Sequence, residues 1–286
     1  MDKFAVIGFG RWGKVLIGEF NKSGEVLYAV SKGNRENIKW LEKNYPAVKH
    51  TVDLDLVLHQ KDIESIIIAT PISTHYSLAK KCLELKKNVF VEKPPCLKSK
   101  QGFELLKIAK QKKRALFVNN IHSFDPAFEK LKNLIREELP EESKFSWLKW
   151  GTFDSNVVWN LAYHDICLSL NLYGEPQKSR IISNSVNRVQ IEMDYKNHRV
   201  EILIDRSYKG LPTKSVAVKL RPKEYLLQNS SLYEMVNNKR KLIFKSKITP
   251  LSISCQRFIS DIHNKNKKYN DFELNIETVK IIESII

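Results

Sequence analysis

Five short runs dominate the first 120 residues and restrict the fold more than any other feature: FAVIG (4–8), VLYAV (26–30), SIIIA (65–69), NVFVE (88–92) and ALFVN (115–119). Each is continuously apolar, β-branched or aromatic rather than alternating, the signature of a strand buried on both faces. Amphipathic stretches lie between them. After Ser73, placed to cap a helix, Leu78, Ala79, Cys82 and Leu83 recur at helical spacing, and Gly102, Leu105, Leu106 and Ala109 do so in the next stretch. Strand and helix in regular alternation predict a parallel, doubly wound α/β sheet.

The rhythm changes in the second half. Val189, Ile191 and Met193 alternate with Gln190, Glu192 and Asp194; Val200, Ile202 and Ile204 alternate with Glu201 and Asp205; Val216, Val218 and Leu220 alternate with Ser215 and Lys219. A period of two describes an open, mainly antiparallel sheet with one packed face. Helices are predicted near 126–138, 161–173 (closed by Gly174), 252–263 and 275–285. The boundary falls near residue 120, giving a domain over 1–120 and an α+β domain over 121–286 whose terminal helix is free to pack back toward the first.

Between the first strand and the first helix stands Gly8-Phe9-Gly10-Arg11-Trp12-Gly13, a G-x-G-x-x-G. Gly8 permits the tight turn, Gly10 lets backbone approach a pyrophosphate, and Gly13 allows helix and strand to pack closely, while the helix N-terminus offers N–H groups to the anion. Three glycines in six residues also make an ordinary turn; the position between strand and helix favours a Rossmann dinucleotide site. An acidic residue at the end of the second strand would bond the ribose hydroxyls of NAD, but the chain reads Ser31-Lys32-Gly33-Asn34-Arg35. Two cations and no carboxylate favour the 2′-phosphate of NADP over NAD, unless the segment is simply a polar loop of a basic protein.

The formal net charge is +16, with lysines scattered along the chain. Biased residue usage accounts for this, and no basic, aromatic-rich nucleic-acid module is present. Cys82, Cys96, Cys167 and Cys255 form no C-x-x-C pair, so neither a metal site nor a disulfide framework is predicted. No apolar run reaches membrane-spanning length and the chain starts directly in a strand, so a cytoplasmic location is expected.

Two further segments end strands: Thr70-Pro71-Ile72-Ser73-Thr74-His75 and Glu92-Lys93-Pro94-Pro95. Ligands of doubly wound sheets bind beyond the carboxyl ends of the strands, so both face the crevice. With the glycine turn, the E-K-P motif, the segment Val157-Val158-Trp159-Asn160-Leu161-Ala162-Tyr163-His164-Asp165 and Phe124-Asp125-Pro126-Ala127, the chain resembles the glucose-fructose oxidoreductase/inositol dehydrogenase (Gfo/Idh/MocA) family over nearly its whole length.

The resemblance implies hydride transfer between a nicotinamide and a hydroxyl- or carbonyl-bearing carbon, usually of a sugar, inositol or nucleotide-linked sugar. It implies His164 as acid–base group and Lys93 as the residue that anchors a hydroxyl and stabilises alkoxide character. Asn160, Trp159, His122 and Phe124 become substrate contacts. The cofactor falls to Gly8, Phe9, Gly10, Arg11, Trp12, Gly13, Ser31, Lys32, Arg35, Thr70, Pro71, His75, Glu92 and Lys93. One departure stands out: the family's usual Asp is Asn160, four residues before His164 and on the same helical face, and an amide cannot hold an imidazolium by charge. Asp165 points about a third of a turn away, as a supporting residue rather than a replacement. The alternatives are therefore reduction of a non-sugar C=N or conjugated substrate, or a non-catalytic NAD(P)-binding sensor. Pairing through the C-terminal sheet, as a homodimer or homotetramer, is expected.

Overall fold

A computed structural model of the chain describes residues 1–136, 138, 140–151, 156–237 and 239–286. The chain divides into two compact units, one of residues 1–120 and 251–276, the other of residues 121–250 and 277–286. Leu251–Ile276 therefore groups with the N-terminal unit, not with the stretch that precedes it in sequence.

The first unit is built on β1 (Lys3–Ile7), β2 (Glu25–Val30), β3 (Lys49–Thr51), β4 (Ser65–Ile68), β5 (Asn88–Glu92) and β6 (Leu116–Asn119). They form one sheet in the order β3-β2-β1-β4-β5-β6, every pairing parallel. The alternating helices are α1 (Arg11–Phe20), α2 (Arg35–Asn44), α3 (Leu54–Leu58), α4 (Ile72–Glu84) and α5 (Ser99–Lys112). Both faces of the sheet are dry, as the continuous runs demand. On one face Ala5, Ile7, Ile66, Ile68, Val89 and Val91 meet Ala79, Leu83, Leu105 and Ala109. On the other, Phe4, Phe20, Phe90 and Phe117 gather around Phe258 of α8 (Pro250–His263), with Phe90 and Phe258 rings 5.4 Å apart. The helix α4 starts one residue before Ser73: Pro71 is the cap, and its fixed φ suits a helix entry. The strand β3 has no apolar pattern to announce it, because its residues Lys49, His50 and Thr51 form an exposed to half-buried sheet edge.

The second unit carries β7 (Glu142–Leu148), β8 (Lys178–Asn184), β9 (Arg188–Asp194), β10 (Arg199–Asp205), β11 (Thr213–Lys219), β12 (Glu224–Gln228), β13 (Ser231–Val236) and β14 (Lys239–Lys245). Their order is β14-β13-β12-β11-β7-β10-β9-β8, antiparallel except for β7 against β10. The alternating positions Val189, Ile191, Met193, Val200, Ile202, Ile204, Val216 and Val218 are all buried. Residues 121–124 form a short 3-10 turn, followed by α6 (Pro126–Leu134) and, further along, α7 (Tyr163–Tyr173). The helix α6 is shorter than predicted: its bonding ends with Ile135 N–H to Leu131 O, and residue 137 lies outside the described residues. A π-turn over Val158–Ala162 precedes α7, whose end is fixed by Gly174 at φ +76°. The last helix, α9, spans Asn270–Ile285.

Candidate active site

The glycine turn is shaped by backbone geometry. Gly8 has φ +84°, and a Cβ there would meet the Ala69 carbonyl oxygen at 2.7 Å. A Cβ on Gly13 would stand 2.0 Å from the Gly8 oxygen, so turn and helix touch backbone to backbone. Around Gly10, by contrast, nothing among the described residues lies within 4 Å of the missing Cβ. Gly10 is the N-cap of α1, and no side chain caps that helix or places an acid in its first turn. The result is an open cradle at a positive helix end, the arrangement that accepts a pyrophosphate. Arg11 and Trp12 border it, Trp12 being 45% exposed. Phe9 differs from the expectation: its ring is buried against His50, centroids 5.5 Å apart, so only its backbone can meet a ligand.

At the end of β2, Ser31 Oγ accepts from the Gly33 N–H, and Asn34 caps α2 through the N–H groups of Glu36 and Asn37. Lys32, Arg35 and Lys39 are exposed along an open groove of about 510 Å³ that also includes Glu42 and His50. Sequence reasoning found the first two cations. Lys39 follows Arg35 by one helical turn and was legible; His50 sits on the strand that the apolar pattern did not reveal.

The two strand-end motifs are joined by one ring. His75 is 1% exposed, with Nδ1 2.8 Å from the Pro94 oxygen and Nε2 2.8 Å from the Thr70 oxygen. Burial holds its pKa below the ordinary imidazole value, so the neutral ring donates to one carbonyl at a time. This corrects its assignment as a cofactor contact: both nitrogens face backbone carbonyl oxygens within the buried site, and His75 positions the Thr70-Pro71 turn against the cis Lys93–Pro94 segment. Thr70 Oγ1 is 2.7 Å from Thr74 Oγ1, and Thr70 Cγ2 lies 2.8 Å from the place a Gly8 Cβ would occupy.

Beside Lys93, which is half-buried, Glu92 Oε1 accepts from Asn119 Nδ2 at 2.7 Å, and Asn119 Oδ1 accepts from Ser254 Oγ at 2.7 Å. Burial pushes the Glu92 carboxyl up to about 7, against the opposing pull of the Asn119 bond and the Lys93 charge. Ser254 was invisible to motif reading, since it arrives from α8, 135 residues beyond Asn119.

In the second unit, His164 is 5% exposed on the first turn of α7. Its ring lies 4.8 Å from that of His122 and 5.4 Å from Trp147, centroid to centroid. Two of the residues taken from the family pattern, His122 and His164, are thus neighbours. Trp159 and Asn160 lie half-buried on the π-turn, and Phe124 is half-buried at the end of the 3-10 turn. Such π-turns are common at functional sites, where they re-aim the side chains that follow.

Two residues of this cluster escaped the sequence reading. Trp147 and Lys214 are direct cross-strand partners on β7 and β11, and the Lys214 Nζ sits 4.1 Å from the centre of the Trp147 ring. The same ammonium is 2.5 Å from Asp165 Oδ1, while Asp165 Oδ2, fully buried, has no partner among the described residues. Burial raises the Asp165 pKa and lowers that of Lys214, each opposed by the other's charge. Lys214 also lines a cavity of about 100 Å³ with His122, Asp125, Asn229 and Ser230. The signal for Lys214 was its parity with Val216 and Val218, which places a lysine on the packed face.

Sheet order and glycine cradle together define a dinucleotide-binding protein of the Rossmann class. Residues 3–120 match the model of the GFO_IDH_MocA family, described as an oxidoreductase family with an NAD-binding Rossmann fold. The match stops at residue 120, short of the extent that the motifs suggest. Among similar proteins, scyllo-inositol 2-dehydrogenase (NADP(+)) IolW of Bacillus subtilis is 25% identical over 191 residues, covering 61% of this chain and 52% of that protein. The UDP-N-acetylglucosamine 3-dehydrogenase of Acidithiobacillus ferrooxidans is 26% identical over 124 residues, 42% of this chain and 40% of that protein. The chain thus spans about half the length, or less, of these relatives. A solved structure of UDP-N-acetylglucosamine 3-dehydrogenase GnnA from Acidithiobacillus ferrooxidans superposes with a TM-score of 0.87 over 99% of this chain and 96% of its own, at 16% identity, a likeness of fold.

Proposed function

We propose that the chain is an NAD(P)-dependent dehydrogenase or reductase of a carbohydrate CH–OH group, with NADP preferred and a nucleotide-activated sugar as one candidate substrate. The observation that carries the reading is the cradle at Gly10, open where its neighbours Gly8 and Gly13 are closed against backbone. The N–H groups at the start of α1 would hold the pyrophosphate, and Lys32, Arg35 and Lys39 would hold the 2′-phosphate. When bound, the nicotinamide supplies or accepts the hydride.

The remaining roles fall to the chain's own side chains. Lys93 anchors a substrate hydroxyl and stabilises alkoxide character, its segment held by the contact between His75 Nδ1 and the Pro94 oxygen. His164 gives a proton to, or takes one from, the reacting oxygen. His122, Trp159, Asn160 and Phe124 hold the rest of the substrate. The names of the inositol and UDP-N-acetylglucosamine dehydrogenases support a polyol or sugar ligand.

The test is a screen of sugars, inositols and nucleotide sugars for a change at the nicotinamide absorbance, after NADPH and NADH binding has been measured by fluorescence. His164→Ala and Lys93→Ala are each expected to lower turnover by about 10²–10⁴. Unchanged turnover in both rejects the mechanism, and saturable cofactor binding with no turnover on any carbohydrate favours a sensor. Lys32→Asp is expected to weaken NADPH far more than NADH; equal losses refute the phosphate assignment.

A further inference from the structure

One imidazole touches both parts of the cofactor cradle. The edge of the His50 ring packs on Phe9, within the glycine turn, at 5.5 Å and an interplanar angle of 76°. Its Nε2 is 3.3 Å from the Ser31 carbonyl oxygen at the end of β2, and its Cε1 lies 3.9 Å from where a Cβ on Gly33 would stand. His50 is half-buried and lines the groove shared by Lys32, Arg35 and Lys39.

A neutral imidazole has one N–H. With that hydrogen on Nε2, directed at the Ser31 carbonyl, Nδ1 carries a lone pair and repels an oxyanion. A proton added to Nδ1 turns it into a charged donor while the Ser31 bond is kept. Lys32, Arg35 and Lys39 attract any anion and Glu42 opposes one, but none of these needs a proton to act near neutral pH. We propose that His50 is a specificity-determining residue that binds the 2′-phosphate of NADP(H) through Nδ1 and takes up one proton from solvent as the phosphate arrives. The proposal rests on the NADP reading given above and adds a ligand from β3. Only Nδ1 gains a bond to hydrogen, and the proton comes from buffer.

Calorimetric titration of the full chain with NADPH and with NADH, in two buffers of different ionisation enthalpy, reads both affinity and protons taken up. The wild type is expected to take up protons with NADPH and not with NADH. His50→Gln, which keeps a neutral donor, is expected to lose that uptake and to bind NADPH about tenfold more weakly, with a smaller loss for NADH. His50→Phe keeps the packing on Phe9 and is expected to show the same loss, so a fold defect in one variant is recognised by the other. NADPH preference and proton uptake that survive both substitutions overturn the role of His50 and leave the cofactor reading intact. Equal affinity of the wild type for NADPH and NADH removes the cofactor reading and the proposal with it.

Discussion

The two units build their sites from different materials. In the first, the cradle is backbone: one positive φ, two glycines pressed against neighbouring main chain, and the uncapped end of α1. In the second, the cluster is side chain, with His122, Trp147, His164 and Lys214 drawn from a 3-10 turn, two adjacent strands and a helix. A backbone site is written in consecutive residues because its requirement is the absence of side chains. A side-chain site is written across nearly a hundred residues and exists only once strands have paired.

The sharpest way to break this contrast is to add a side chain to the turn. Gly13→Val would drive a Cβ to within 2.0 Å of the Gly8 oxygen, and the backbone must move. Its cost is expected to exceed the 1–3 kcal/mol or so of ordinary overpacking, with NADPH and NADH binding abolished. Gly10→Ala meets open space, so it is expected to cost less than about 1 kcal/mol at this cap while weakening both cofactors about tenfold or more. Thermal unfolding and fluorescence titration of the two variants check this. Equal stability losses would mean that the cradle is not shaped as described.

Removing one member of the buried ion pair in the second unit is the next largest effect. Lys214→Ala leaves Asp165, whose Oδ2 has no partner among the described residues, as an uncompensated buried carboxylate. The expected cost is about 3–5 kcal/mol, with most of it recovered in Lys214→Met/Asp165→Asn, where the charge is removed from both sides. Urea unfolding of the wild type, the single and the double variant measures it. A double variant as unstable as the single one would show that shape rather than charge holds this cluster.

What could be read beforehand follows the same division. The parallel strands with continuous apolar runs were legible because burial on both faces leaves no polar positions, and the glycine turn because its spacing is local. Strand β3 was not, since the residues of a wet edge need no apolar pattern. The strands β9, β10 and β11 announced themselves by alternation, and Lys214 broke that alternation at its first inward position. The break is readable only after the partner residues Trp147 and Asp165 are known, because a lysine facing inward is otherwise a strand end. His75 was misassigned for a related reason: its motif shows that a histidine is required, not that both of its nitrogens turn to backbone oxygens.

Glu92 sharpens the comparison, since like His75 and Asn119 it is a side-chain element in the unit whose cradle is backbone. Burial pushes its carboxyl up to about 7 from an ordinary value of 4.5, against the pull of the Asn119 bond and the Lys93 charge. A raised folded value means that the folded state holds the proton more tightly than the unfolded chain. The resulting stabilisation is fully present below about pH 4.5 and is lost as pH rises through about 7. The gap corresponds to about 3 kcal/mol across that window. Glu92→Gln keeps an oxygen to accept from Asn119 Nδ2 but has no proton to lose. Unfolding free energies of wild type and variant, followed from acid to mildly alkaline pH, are therefore expected to diverge, the wild type falling relative to the variant by about that amount. Parallel curves would mean that the carboxyl beside Lys93 is solvated.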